Sequence, residues 1–427
     1  MRIDVAAPLK GRRLIVACCG SIAAVKVPLL VSALVQAGAE VRCVVTPSAA
    51  RLVSPVALAS LSRHVCYQDG DEWSPSCPRP LHIELAEWAE LVIIAPLSAT
   101  SLGRWCAGMA DGLLASLLLA TEAPVLAAAA MNTAMWAHPA VRRNWDTVLT
   151  WPKVLGLSPG SGLLACDRIG PGRMAEPDRI ILAAASVFSR AGASDPLRRD
   201  WCGRSLLVTA GPTVESLDRV RTLSNRSSGA MGVLLAQAAL LRGASVTLVH
   251  GPLRCPQTWL EGLDCVPVES SGEMEAALTN HQQRADAVAM VAAVADLRRV
   301  DGGRYDKPSK QQLLEGMAEG WTVVPDLLQG LSLNRLPGQV VLGFAALAGS
   351  ELEMRRIGEQ KRQAKGCDLL MVNPIDRADQ GLMSLNNGGW LLGPNDARTI
   401  DPQPKLSMAH VLLDALLEAQ AATSAES

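Results

Sequence analysis

Leu14-Ile15-Val16-Ala17-Cys18-Cys19-Gly20-Ser21-Ile22-Ala23-Ala24-Val25-Lys26 runs from an unbroken apolar stretch through a Gly-Ser turn into an amphipathic one. A continuous apolar run of this length is a strand covered on both faces, and the period then changes to that of a helix over 23–36. Gly20-Ser21 lies between them and places backbone N–H groups and a hydroxyl at a helix N-terminus, where phosphate is readily held. The same turn also serves as a plain connection, and it lacks the G-x-G-x-x-G spacing of dinucleotide dehydrogenases. The unit recurs outward along the chain. Strands at 14–18, 41–46, 91–95 and 125–130 alternate with helices at 23–36, 100–106, 113–121 and 177–189. That order predicts an α/β domain, a mostly parallel sheet with helices on both faces.

Residues 191–203 (AGASDPLRRDWCG) are polar, interrupted by Pro and Gly, and without period, so they read as a linker. They divide a domain over 1–190 from a second over 204–427. The second repeats the grammar, with strands at 206–209, 246–250, 287–291, 340–344 and 369–373 and helices at 230–241, 351–365 and 407–420. A hairpin is expected near Asn386-Asn387-Gly388, and a frayed tail over 421–427. Each half is therefore Rossmann-like.

The bulk composition excludes several classes. The 427 residues carry 40 basic and 41 acidic side chains, well mixed, a formal charge of −1 that leaves no nucleic-acid footprint. No apolar run reaches the roughly 18 residues that span a bilayer, and residues 1–10 lack the apolar core of a signal peptide. Eleven cysteines without CxxC or metal-ligand spacing fit reduced thiols in a cytoplasmic protein.

Candidate chemistry gathers at strand ends. Ser98-Ala99-Thr100-Ser101 follows a strand where ligands of open α/β sheets collect, although Ser and Thr there also cap helices. His82 opens His82-Ile83-Glu84-Leu85 ahead of a strand, where a lone histidine also serves structurally. Asn132 closes another strand, in a place that suits turn asparagines too. Cys166 sits in Leu163–Glu176, a Gly- and Pro-rich run too polar and interrupted for a core element, so its thiol can swing over a pocket.

In order along the chain, GSIAAVK, HIEL, APLSATSLG, ADGLL, AAMNTAMW and LACDRIGPGRMAEP resemble the phosphopantothenoylcysteine decarboxylases, an FMN-dependent family of coenzyme A synthesis. The resemblance covers about residues 13–190 and implies a flavodoxin-like flavoprotein domain. It implies FMN contacts at Gly20, Ser21, Thr46, Ser48, Ser98, Ala99, Thr100, Ser101 and Ala130. In that family FMN oxidises a cysteinyl thiol, the thioaldehyde loses CO₂ as an ene-thiolate, and the reduced flavin restores the thiol. By resemblance, His82 would orient or deprotonate the thiol. Asn132 would hold the carboxylate and amide, and Cys166 would deliver a proton from a closing flap. Asp167 stands where the family usually has glycine, and Glu87 where relatives tend to carry Arg or Lys.

In the second half, Leu207–Thr213 and Arg221–Gly229 read as strand, long loop and helix N-terminus, with Ser227-Ser228-Gly229 a triphosphate cradle. A capping box fails there, because Met231 replaces the Glu or Gln it needs. Ala292-Ala293-Val294-Ala295-Asp296 puts a carboxylate beyond a small-residue strand, open to a base or ribose. These segments resemble phosphopantothenate–cysteine ligase over roughly 203–417, an enzyme fused in many bacteria behind the decarboxylase. The resemblance implies CTP with Mg²⁺, an acyl-cytidylate, and displacement of CMP by cysteine. Asn225 would handle the acyl intermediate and Lys307 the charge of nucleotidyl transfer. Ala292, Asp296 and Phe344 would meet the nucleotide, with Lys361 and Lys365 on its phosphates. Metal ligands stay unassigned. Implied partners are 4′-phosphopantothenate, cysteine and CTP, with no nucleic acid and no membrane. The implied assembly is a homo-oligomer of trimeric decarboxylase and dimeric ligase units, up to a dodecamer. Ala230, Val324, Leu347 and Pro374 depart from the ligase pattern, which expects Lys, Asn, Glu and Asp there. Two alternatives stay open: an active decarboxylase with a degenerate ligase domain, or a non-catalytic FMN-binding regulatory protein.

Overall fold

A computed structural model describes residues 5–75, 78–190, 195–300, 311, 320–377, 380–381, 384–394 and 396–426. Contacts divide the chain into two units, residues 5–198 and residues 199 onward.

In the first unit, β1 (Arg13–Cys18), β2 (Glu40–Val45), β3 (Cys66–Tyr67), β4 (Leu91–Leu97), β5 (Val125–Ala129) and β6 (Val154–Leu157) form one sheet. The order is β3-β2-β1-β4-β5-β6, and every pair is parallel. Without the two-residue β3, this is the flavodoxin-like order, with its reversal between β1 and β4. β4 is buried along its whole length, as a strand sandwiched between helix layers must be. The helix Val27–Gln36 turns Val27, Leu30, Val31 and Leu34 inward at the 3.6 period. Each such side chain contributes about 1.5–3 kcal/mol on burial. That helix starts later than its apolar pattern, with a 3₁₀ turn at Ile22–Lys26, because Pro28 suits the first turn of an α-helix. His82 lies inside a helix, Leu81–Trp88, which precedes β4 and buries Leu81, Leu85 and Ala86. The Cys166 run is a hairpin rather than a plain loop: β7 (Gly160–Leu163) and β8 (Ile169–Arg173) pair antiparallel around residues 164–168.

In the second unit the strands are β9 (Ser205–Ala210), β10 (Val214–Ser216), β11 (Thr222–Ser224), β12 (Ser245–His250), β13 (Asp264–Pro267) and β14 (Ala287–Met290). They continue as β15 (Leu297–Arg299), β16 (Trp321–Val323), β17 (Val340–Leu347), β18 (Leu369–Pro374), β19 (Asn386–Leu392) and β20 (Ala397–Pro404). The main sheet runs β13-β12-β9-β14-β17-β18-β19-β20, parallel as far as β18 and antiparallel beyond. Its central helix, Ala230–Leu241, is buried from Ala230 to Ala239.

Asn386-Asn387-Gly388 is not a hairpin turn; it opens β19, and the pairing with β20 slips between Asn387 and Gly389. A Cβ at Gly389 would lie 2.0 Å from the Val372 carbonyl, so this glycine marks a close backbone approach. The last helix continues through the expected tail to Glu426, in keeping with the high helix propensity of Ala421, Ala422 and Ala425. Of the segment read as a linker, residues 191–194 lie outside the described residues. Asp200 holds the buried Arg242 guanidinium through two 2.8 Å bonds, and Trp201 is fully buried.

Candidate functional site

The loops that leave β1, β2, β4 and β5 are stitched together at the C-terminal edge of the first sheet. The Cys19 amide donates to the Pro96 carbonyl (3.2 Å), Thr46 to Cys18 (3.1 Å), Ala130 to Leu97 (3.0 Å) and Met131 to Gly172 (3.1 Å). A Cβ on Gly20 would lie 2.4 Å from Ser48 Cβ, so Gly20 and Ser48 pack backbone against side chain. Ser21 stands extended at the head of the next turn and makes no side-chain capping bond. Ser21 thus stands at the C-terminal edge of the sheet, where open α/β sheets gather ligands. Thr46 caps Ala49 (3.3 Å), and Ser98 caps Ser101 (3.3 Å), so Ser98 plays the helix-capping part left open by sequence. Thr100 is exposed, Ala99 and Ser101 half-buried, and Ala130 buried.

Asn132 and Cys166, far apart in the chain, meet: Asn132 Nδ2 donates to Cys166 Sγ at 3.0 Å. Asn132 Oδ1 accepts from the Ala134 amide, which fixes the carboxamide orientation. The hairpin is seated on this strand end, since a Cβ at Gly172 would come within 2.3 Å of the Met131 carbonyl. Asp167 adopts φ of 59°, the left-handed conformation in which a glycine is easiest and an aspartate tolerable. Cys166 is exposed, whereas burial and the neighbouring Cys66 thiol push Cys43 up to about 12, and burial with the nearby Asp71 carboxylate pushes Cys66 up to about 11. Those two are core thiols that stay neutral.

His82 makes no hydrogen bond to Asn132 or Cys166 among the described residues. Its Nδ1 lies 2.5 Å from Glu72 Oε1, and its backbone amide donates to Glu72 Oε2 at 3.1 Å. Glu87 pairs with Arg79 at 2.5 Å, both exposed.

The second unit holds a cavity of about 920 Å³ lined by Asn225–Gly232, Val291–Asp296, Val324–Leu328 and Phe344–Ala346. Lys361, Lys365 and Lys405 also line it. The helix Ala230–Leu241 points its N-terminus here, from Gly229 at φ of 75°, and the Ser227 and Ser228 hydroxyls accept from the Gly229 (3.3 Å) and Ala230 (3.4 Å) amides. The Thr209 hydroxyl accepts from the Val291 and Ala292 amides, both at 2.9 Å, and Thr213 accepts from Ala295 at 2.9 Å. Asn225 Nδ2 donates to the Ala293 (3.2 Å) and Val294 (2.9 Å) carbonyls. Ala292 and Asp296 are thereby held on the wall. Phe344 is half-buried at the cavity, Lys361 lines it, and Lys365 pairs with Asp326 at 3.0 Å. Lys307 lies outside the described residues. No cluster of three or more metal-ligating side chains occurs among the described residues, and no described helix is long and apolar enough to cross a membrane.

Sequence reasoning missed Glu72, Thr209, Arg226 and Lys405. Arg226 lines the cavity between two singled-out residues, Asn225 and Ser227. Lys405, 4% exposed, has its ammonium pulled down to about 8 by burial. Both carried only a charge as signal, which most surface residues share.

A flavoprotein family model matches residues 3–189, and the DNA/pantothenate metabolism flavoprotein C-terminal domain matches residues 201–419. The coenzyme A biosynthesis bifunctional protein CoaBC of Bacillus subtilis is 38% identical over 86% of this chain and 87% of its own. The chain belongs to that family of bifunctional coenzyme A biosynthesis proteins. The CoaBC of Escherichia coli is 36% identical over 96% of this chain and 97% of its own. A solved mutant PPC decarboxylase complexed with pantothenoylaminoethenethiol is 34% identical over 41% of this chain and 97% of its own, at TM-score 0.39.

Proposed function

We propose that the second unit joins 4′-phosphopantothenate to cysteine with CTP through an acyl-cytidylate. The first unit then converts the product to 4′-phosphopantetheine with FMN. The 3.0 Å contact between Asn132 Nδ2 and Cys166 Sγ carries the decarboxylase reading, because it sets a carboxamide and an exposed thiol at the crevice where such sheets bind ligands.

The seat at Gly20, Ser21 and Ser48 suits the FMN phosphate, and Thr46, Ser98–Ser101 and Ala130 line the same strand ends. FMN, when bound, supplies reversible two-electron oxidation of the substrate thiol. His82 takes the proton from that thiol. Asn132 holds the substrate carboxylate with a neutral group, which adds no positive charge to oppose loss of CO₂. Cys166 returns a proton from the hairpin loop, whose closure keeps bulk water from competing.

In the second unit, the helix N-terminus at Ser227-Ser228-Gly229 and the Lys361 and Lys365 ammonium groups take the triphosphate. Phe344 packs on the nucleotide, and Ala292 and Asp296 meet it from the Thr209-braced loop. Asn225 orients the acyl group, and Lys307 offsets charge during nucleotidyl transfer. Magnesium travelling with the triphosphate needs few protein ligands, since it keeps most of its waters. The family assembly, trimeric first units and dimeric second units in the cytoplasm, completes the reading.

Cys166→Ser tests the reading of the first unit. The variant, reconstituted with FMN, is expected to release CO₂ from phosphopantothenoylcysteine but to yield little phosphopantetheine. Undiminished phosphopantetheine would remove the thiol from its role. CTP- and cysteine-dependent pyrophosphate release tests the reading of the second unit, and its absence in the folded protein would favour a degenerate ligase domain, as Ala230 in place of lysine suggests.

A further inference from the structure

We propose that Glu72 is the positioning residue of His82, selecting the imidazole tautomer that leaves Nε2 free to take the substrate proton. The proposal rests on the reading of His82 as the proton acceptor. Both oxygens of Glu72 are committed to one residue: Oε1 to the ring at 2.5 Å and Oε2 to the backbone amide at 3.1 Å. A carboxylate only accepts, so Nδ1 carries the hydrogen and the lone pair resides on Nε2.

The position of Glu72 is itself set. It belongs to the turn Asp69–Trp73, where the Gln68 amide donates to Asp71 at 2.7 Å and Asp69 accepts from the Leu113 amide at 3.1 Å. The Glu72 side chain is only 12% exposed, against 27% for His82. His82 is the second residue of the helix Leu81–Trp88, whose N-cap, Pro80, makes no side-chain bond. Glu72 therefore satisfies an orphan N–H of the helix and orients the ring with the same group. Backbone and imidazole cannot shift independently.

A capping role alone would stabilise the helix without selecting a tautomer, and the test separates the two. Long-range ¹H–¹⁵N spectra of histidine-labelled, FMN-reconstituted protein report the tautomer, with the His82 signal assigned by its loss in His82→Asn. The parent protein is expected to show the Nδ1–H form. Glu72→Gln keeps the shape and a capping oxygen but offers its NH₂ to Nδ1, so the Nε2–H form should grow. Turnover of phosphopantothenoylcysteine should fall at least about tenfold, as tautomer errors do in hydrolase triads, with KM changed less than about threefold. Glu72→Ala should give a mixed tautomer and a similar loss. An unchanged tautomer in both variants, whatever happens to turnover, overturns the proposal. Full turnover in His82→Asn would instead overturn the proton-acceptor reading, while the tautomer shift would still report the pairing.

Discussion

At the scale of single residues, the site proposed for the first unit is built on positions where a side chain is absent or oddly placed. Gly20 has no room for a Cβ, because Ser48 Cβ occupies the site at 2.4 Å. Neither atom sits at the end of a flexible chain, so Gly20→Ala must push the loops after β1 and β2 apart. The expected result is a folded protein that binds FMN at least about tenfold more weakly, read by fluorescence titration. An unchanged dissociation constant would remove Gly20 from the phosphate seat. Asp167 is the opposite case, a side chain in a left-handed conformation that the family usually gives to glycine. Aspartate tolerates that conformation at a cost near 1 kcal/mol, so the departure leaves the loop geometry of Cys166 intact.

At the scale of elements, the loop after β14, proposed to meet the nucleotide, is held from outside itself. Thr209 on β9 is fully buried and accepts from two successive amides, Val291 and Ala292. Thr209→Val keeps the shape but strands both donors, which costs about 1–3 kcal/mol for each. Urea denaturation should show that loss, and the KM for CTP should rise as the loop slackens. An unaltered midpoint and KM would mean that solvent replaces the hydroxyl. The Cys166 hairpin shows the same dependence on an outside support, since its rungs rest on Met131 rather than on any apolar pattern of their own. Its strand Gly160–Leu163 alternates glycine with other residues and carries almost no hydrophobic signal, which is why it reads as loop in the sequence.

At the scale of the molecule, the first unit has a core of neutral thiols that makes it sensitive to base. Cys43 is raised by burial to about 12 and Cys66 to about 11, above the ordinary 9.0. Each stays neutral in the folded chain when the unfolded chain has already lost its proton. Their contribution is therefore complete below pH 9 and is lost as pH rises through 11 and 12. For Cys43 the loss is about 1 kcal/mol one unit above the ordinary thiol value. Calorimetry between pH 8 and 11 should show the first transition falling, with a shallower slope in Cys43→Val. Equal slopes would place the sensitivity elsewhere.

The two α/β layers were legible in the sequence because covered parallel strands and amphipathic helices leave period and length in the residues themselves. Helices 177–189, 230–241 and 351–365 are found at the expected bounds, Pro177–Ser189, Ala230–Leu241 and Glu351–Lys365. The meeting of Asn132 with Cys166 was expected through resemblance, yet it depends on a hairpin folding back over a strand end. Glu72 and Thr209 had no signal at all. Each acts through a directional bond to a residue about ten or more than eighty positions away, and only the packed chain makes such distances short. Periodicity is written locally and survives in one dimension. Hydrogen-bond partnership between remote segments belongs to three dimensions.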